Sequence, residues 1–285
     1  MNRYLAITPA RDEARLLPGL IASMVAQEHR PARWIIIDDG STDETGALID
    51  DAATRHGWVR AVHLPRGGSR AEGGESVTAK ILCAEQWREY DFLLRLDADL
   101  SFDSDLVSRL LREFARDERL GIAGPVLLEP DSHGWRMVVQ PRFHTRGAAK
   151  MYSRACLLAI GLPDSGLGWD TLDEVAAMMA GFRTRHFLDI RARHHRPQGA
   201  AGGSWKARRA AGVAAYRIGY SPLFIAVRAA RLAFGSSGPT GTVALLAGFL
   251  DGYRKHLRRP ATPELMVFVR QQQLRRLLLR ETLWR

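Results

Sequence analysis

Ile35-Ile36-Ile37-Asp38-Asp39-Gly40-Ser41-Thr42-Asp43-Glu44 is the stretch that decides the fold. Three consecutive branched apolar residues read as a buried strand, and the strand ends on two carboxylates. Gly40 permits a tight turn, and Ser41 with Glu44 predicts a capping box that opens the following helix. Such a strand-to-helix unit delivers Asp38 and Asp39 to the edge of a sheet, beyond the carboxyl ends of its strands, where ligands bind in open α/β folds. Taken alone, Asp-Asp-Gly-Ser also builds a plain turn, so the flanking chain has to decide.

Outward from this stretch, Tyr4 to Ile7, Val59 to Leu64 and Phe92 to Leu96 are further short apolar runs. Between them, Leu16, Leu17, Leu20, Ile21, Met24 and Val25 mark one helical face, Val77, Ile81, Leu82 and Trp87 a second, and Leu106, Leu110, Leu111 and Phe114 a third. This alternation predicts an α/β fold, a mostly parallel central sheet with helices on both faces. A second strand ends in carboxylates at Leu96-Asp97-Ala98-Asp99. Two acids one residue apart can divide the work, one facing a ribose and the other a hard divalent cation that bridges two phosphates. Mg2+ or Mn2+ suits oxygen ligands of this kind. The plain alternative is a set of solvated loop carboxylates, joined by Asp103 and Asp105.

The chain of 285 residues is 46% hydrophobic and 25% charged, enough to bury a sizeable core. Cys83 and Cys156 are too few and too far apart for a disulfide framework or a cysteine zinc site, which points to a reducing compartment. The apolar run at Tyr4 follows no basic region and leads to no small-residue cleavage site, so a cytoplasmic location is expected. Arg228, Arg231, Asp251 and Arg254 interrupt the apolar segments near the C-terminus, so no spanning helix is expected.

The net charge of +10 is uneven: residues 191 to 285 hold 18 Lys or Arg against 3 Asp or Glu, and the rest of the chain is net acidic. An acidic front suits a metal site. A basic, amphipathic back suits an anionic surface, here taken to be the inner face of the cell membrane with the protein bound peripherally. The organisation follows the charge, with a catalytic domain over residues 1–200 and a basic amphipathic helical region over 201–285. The segment LPRGGSRAEGGES, Leu64 to Ser76, reads as a substrate-covering loop.

With Ile7-Thr8-Pro9-Ala10-Arg11-Asp12-Glu13 at the end of the first strand, the ordered set of strand ends resembles the family 2 glycosyltransferases of GT-A fold. The resemblance covers residues 1 to about 200. It implies an inverting transfer of a sugar from a nucleotide diphosphate donor to an acceptor hydroxyl, metal-dependent, with a cell-envelope glycan or a lipid-linked precursor as acceptor. By that resemblance Thr8, Pro9 and Asp12 border the nucleotide pocket and Asp39 accepts a hydrogen bond from the base. Asp97 faces the ribose or the metal shell, and Asp99 ligates the metal. Lys80 stands where the family often has a basic residue near the donor, although Ala79-Lys80-Ile81 departs from the more usual Ala-Arg-Asn.

Gly166-Leu167-Gly168-Trp169-Asp170-Thr171-Leu172-Asp173-Glu174 feeds acids from a glycine-rich turn into a helix. A displacement at the anomeric carbon needs a carboxylate there to take the acceptor's proton, although acids at this point also simply cap a helix. In relatives an acidic pair precedes a helix ending in Gly-Phe/Tyr-Arg, matched here by Gly181-Phe182-Arg183. Counting back from Gly181 favours Asp170 as the base, with Asp173 as the rival and Glu174 behind it. Of His194 and His195, adjacent on an extended strand, only one can join Asp99 on a metal, and similar sequences favour His194. A sugar-phosphate nucleotidyltransferase is disfavoured because Thr8-Pro9-Ala10-Arg11 replaces its glycine-rich phosphate loop. A basic nucleic-acid-binding protein is disfavoured for want of any recognition motif.

Overall fold

The computed structural model describes residues 2–66, 78, 85–138, 140–162, 166–196, 203–234 and 238–284. In chain order these form β1 (Tyr4–Ala10), α1 (Leu17–Val25), β2 (Arg33–Asp38), α2 (Thr45–Arg55), β3 (Val59–His63), β4 (Phe92–Leu96), β5 (Leu100–Phe102) and α3 (Leu106–Arg116). There follow β6 (Leu120–Asp131), β7 (Gly134–Met137), β8 (Ala149–Ser153), α4 (Arg154–Ile160), α5 (Trp169–Met179) and β9 (Arg183–His194). The chain closes with α6 (Gly203–Ile218), α7 (Pro222–Ala233), α8 (Gly238–Arg254) and α9 (Pro263–Leu277). Most of the expected covering loop and the second helical face, with Lys80 and Cys83, lie outside the described residues.

One sheet runs in the order β3-β2-β1-β4-β8-β6-β9-β5, with β7 paired to β6. Its front half, β3 to β4, is parallel throughout. Strand β8 enters antiparallel to both β4 and β6, and β6 with β9 restores a parallel pair. The apolar runs are continuous rather than alternating because both faces are covered. Along β1, Tyr4 and Ala6 face a core shared with α1, α2 and α3, while Leu5 and Ile7 face a second core with Tyr152, Cys156 and Leu157. Parallel pairing brings the C-terminal ends of β1, β2 and β4 to one edge, and this aligns the three acidic strand ends.

The C-terminal helices do not stand free of the sheet. Phe143, Leu172, Val175 and Met178 share a third core with Ala215, Ile218, Ile225, Leu265, Val269 and Trp284. Helices α6 and α8 cross at backbone contact, since a Cβ on Gly248 would lie 1.9 Å from the Arg209 carbonyl oxygen. Among the described residues no helix is long and apolar enough to cross a membrane.

Candidate active site

At the joined ends of β1 and β2, the two acids of the Asp-Asp pair part company. Asp38 turns back into the fold, its Oδ1 accepting from Ser41 N–H at 2.8 Å and its Oδ2 lying 3.2 Å from His63 Nδ1. Asp39 is also buried but faces Arg11, whose guanidinium is 3.4 Å away. Gly40 takes φ 68°, and a Cβ there would meet the Arg66 backbone at 2.3 Å, so only glycine lets this turn close under the following segment.

The capping box expected of Ser41 and Glu44 does not form. The Ser41 hydroxyl accepts instead from Asp12 N–H at 3.0 Å, and the start of α2 is satisfied by Asp43, whose Oδ1 accepts from Thr45 N–H at 3.0 Å. Asp12 itself sits at a positive φ of 53°, accepts from Thr42 N–H at 2.8 Å and pairs with Arg66 at 2.9 Å. The Arg66 hydrogen bond holds its carboxyl down at about 2, so it is anionic at any physiological pH. Thr8 is fully buried, its hydroxyl accepting from the Trp34 indole at 3.0 Å, and Pro9 is half-buried beside it.

The acids after β4 meet the last residue of β9. Asp97, Asp99 and His194 each offer one ligand atom, and those atoms lie within 4.8 Å of one another. The pairing of β5 with β9 makes this possible, because Leu100 is opposite His194 in the register. Strand alternation separates the two histidines: His194 Nε2 is 3.2 Å from Asp99 Oδ1, whereas His195 Nε2 is 2.7 Å from the Ser101 hydroxyl. Burial disfavours charge on both partners, yet their mutual attraction, helped by Arg196 at Asp99 and by Asp97 at His194, lowers the Asp99 carboxyl and raises the His194 imidazole.

The donor set of two carboxylates and one imidazole fits a divalent ion. His194 Nδ1 is buried without a hydrogen-bond partner, and Glu129 Oε1 lies 3.7 Å behind it. A carboxylate behind a histidine is the usual second support of a metal ligand. Arg196 ties this cluster to the turn after β1, its Nη1 donating to Glu13 at 3.0 Å while its Nε stays 3.9 Å from Asp99.

From Asp97 a stack of side chains leads to α5. Arg95 pairs with Asp97 at 3.0 Å, donates to the Gly147 carbonyl and lies 4.7 Å over the Trp169 ring. The next residue, Asp170, is partly exposed, with His144 Nε2 at 3.9 Å. Asp173 differs sharply, with a side chain 2% exposed, one oxygen 3.0 Å from Lys150 Nζ and the other accepting from the Tyr152 hydroxyl. Burial pushes its carboxyl up to about 7 against the pull of Lys150, a value that would suit a base but on a group closed off from solvent. Glu174 is fully buried between Lys150 at 3.0 Å and His144 Nδ1 at 2.8 Å.

The structure thus gathers Pro9, Asp12 and Asp39 at one end of the edge and Asp97, Asp99 and His194 at the other, with Asp170 one side-chain stack away. Thr8 and Asp173 point inward. Arg95, His144 and Lys150 were not singled out as functional from sequence. A charged residue inside each of the apolar runs Phe-Leu-Leu-Arg-Leu and Ala-Lys-Met-Tyr was the available signal, since a buried charge requires a partner. No comparable signal marks His144.

The profile of the family described as "Glycosyl transferase family 2" matches residues 5–164. A polyprenol monophosphomannose synthase of Mycolicibacterium smegmatis is 32% identical over 59% of this chain and 60% of its own length. An N-acetylglucosaminyltransferase of Azorhizobium caulinodans is 26% identical over 70% of this chain and 56% of its own. The chain therefore spans less than two thirds of the length of these relatives. Among solved structures, the mannosyltransferase PcManGT of Pyrobaculum calidifontis, in complex with GDP-Man and Mn2+, superposes with a TM-score of 0.58 at 15% identity, covering 98% of this chain and 76% of its own. TarS residues 1–349 of S. aureus, in complex with UDP-GlcNAc, superposes with a TM-score of 0.55 at 14% identity, covering 95% and 78%. With a GT-A arrangement of sheet and helices and a family profile matched over more than half its length, the chain belongs to glycosyl transferase family 2.

Proposed function

We propose that the protein is an inverting glycosyltransferase that moves a sugar from a nucleotide diphosphate to the hydroxyl of a cell-envelope glycan or lipid-linked acceptor. The observation that carries this reading is the placing of Asp170 one guanidinium and one indole away from the cluster of Asp97, Asp99 and His194. Asp39 accepts a hydrogen bond from the base, while Pro9 and Asp12 border the nucleotide. Asp97, Asp99 and His194 would hold a Mg2+ or Mn2+ ion, which would supply positive charge to the diphosphate leaving group. Arg196, anchored on Glu13, adds a guanidinium on the same side.

In the transfer, the acceptor oxygen forms a bond to the anomeric carbon as the bond from that carbon to the diphosphate oxygen breaks. The electron pair leaves with the diphosphate, and the acceptor's proton passes to Asp170. Asp173, held by Lys150 and Tyr152, fixes the helix that carries Asp170. Similarity to a polyprenol monophosphomannose synthase supports a lipid-linked acceptor, and exposed Leu223, Leu250 and Phe234 among the arginines of the C-terminal helices support a peripheral seat on an anionic membrane.

A panel of UDP, GDP and dTDP sugars, each with Mg2+ and with Mn2+, tests the reading through nucleotide release and calorimetry. One donor class should bind and turn over. Asp39→Ala should weaken its binding by about 1.5 to 3 kcal/mol, the worth of a hydrogen bond to a charged group. Failure of every nucleotide to bind with either metal overturns it.

A further inference from the structure

A cavity of about 350 Å³ lies where the first turn of α5 meets the segment before β8 and helices α7 and α9. Phe143, Tyr220, Phe224 and Trp284 build its apolar wall, with Trp284 stacked on Phe143 at 5.6 Å and tilted against Tyr220 at 5.5 Å. Three guanidiniums, those of Arg228, Arg231 and Arg276, line the rest. Arg276 is steadied by donating to the Trp284 carbonyl at 3.1 Å. Among the described residues, neither Arg228 nor Arg231 has a carboxylate within ion-pair distance. His144 and Thr171 line the same cavity, and His144 Nε2 is 3.9 Å from Asp170 Oδ2. The cavity therefore opens beside the residue assigned as base.

Uncompensated positive charge set in an aromatic wall selects for an anion that carries apolar mass. The planar fork of arginine matches a phosphate by paired hydrogen bonds, and arginine tolerates loss of water better than lysine. Leu223, one residue from the cavity-lining Phe224, and Phe234, just after α7, are 59% and 94% exposed and offer apolar surface on the helix that carries Arg228 and Arg231. We propose that the cavity is an acceptor subsite that binds the phosphate of a lipid-tailed acceptor, presenting a hydroxyl of that acceptor to Asp170.

This inference rests on the transferase reading above. The phosphate is the handle and not the attacking group, because a phosphate oxygen is already ionised at neutral pH and gives Asp170 no proton to take. The arginines hold the anion, the rings cover the first part of the tail, and His144 lines the path from the phosphate to the base.

The test uses the full chain, with hexyl phosphate, inorganic phosphate and hexanol titrated by calorimetry beside UDP and GDP in Mn2+. Hexyl phosphate should bind more tightly than inorganic phosphate, and hexanol should give no heat. Arg228→Gln and Arg231→Gln should each weaken hexyl phosphate by about tenfold or more, the scale of a lost charge-assisted hydrogen bond, and leave nucleotide affinity unchanged. Arg231 is exposed, so its variant keeps the fold and serves as the control for Arg228→Gln.

Phosphatidylcholine vesicles with and without phosphatidic acid separate the sources of phosphate. Vesicle binding lost in both variants assigns the handle to a bilayer lipid, and vesicle binding kept while hexyl phosphate is lost assigns it to a separate acceptor; either supports the subsite. Equal hexyl phosphate affinity in all three proteins, or displacement of hexyl phosphate by nucleotide, overturns it. Absence of nucleotide binding with the arginine effect intact would instead sink the transferase reading alone.

Discussion

Replacing Asp173 and Asp170 by asparagine, one at a time, separates a residue that holds the helix from one that takes a proton. The Asp173 carboxylate is buried against a lysine that is itself fully buried, at 3.0 Å. Removing one partner of such a pair costs about 3 to 5 kcal/mol. Lys150 keeps Glu174 at 3.0 Å, and burial already favours a protonated Asp173, so the low end applies. A loss of about 3 kcal/mol should lower the melting temperature by roughly 6 to 12 °C in a chain of this size. The Asp170 side chain is partly exposed and pairs only with His144, at long range, while the Lys150 hydrogen bond to its backbone carbonyl is kept in the variant, so Asp170→Asn should stay within about 0.5 kcal/mol of the parent. Its turnover at saturating donor should nevertheless fall by about 10² to 10⁴. Urea unfolding followed by circular dichroism, with turnover measured on the same preparations, reads both quantities. An Asp173→Asn protein as stable as the parent yet more impaired in turnover than Asp170→Asn would refute the reasoning, and Lys150 would then be the group that tunes a buried base.

Three further outcomes follow from the geometry. Asp99→Asn should abolish most Mn2+ binding by calorimetry and most turnover in a folded protein; retained Mn2+ affinity would remove Asp99 from the metal. Burial works to lower the pKa of His144, but Glu174 and Asp170 outweigh it, with Lys150 opposing, and the imidazole titrates above its ordinary value. Its contribution to stability is therefore complete below about pH 6.5 and is lost as the pH rises through the folded value, with a slope of at most about 1.4 kcal/mol per pH unit. His144→Gln should flatten that limb, and an unchanged stability profile between the two proteins would count against the pairing. Reversing the exposed Arg254 and Lys255 to Glu should weaken flotation with anionic vesicles, at about 1 kcal/mol per basic residue removed, and leave neutral vesicles unaffected. This is a cleaner change than truncation near Gly203, which would strip the cover from Leu172 and Val175.

The strand ends were legible because their signals are local. An apolar run covered on both faces is continuous in sequence, and the acids that follow it fall on the ligand edge by parallel pairing alone. The meeting of Asp99 with His194 was legible only through resemblance, since they stand 95 positions apart and the contact depends on β5 lying against β9. The capping box failed for a tertiary reason, because Asp12, brought up by β1, claims the Ser41 hydroxyl from 29 residues away. The web of Lys150, Tyr152, Asp173 and Glu174 was invisible for the same kind of reason. Lys150 stands out as a charge inside an apolar run, and Asp173 and Glu174 as candidate bases, but nothing local tells that they meet, because the meeting depends on β8 being inserted beside β4 and under α5.

Helix α5 is clasped from two sides, with Ala177 in the core beneath the sheet and Leu172, Val175 and Met178 in the core of the C-terminal helices. Asp170, at its first turn, has no position of its own. It behaves like the tip of a lever whose shaft is gripped by two separate jaws. A methyl group removed at Val269 or Ile225, in contact with neither nucleotide nor metal, loosens one jaw and swings the tip, so turnover can drift while donor affinity stays fixed. Residues remote from the chemistry thereby become a dial on its rate.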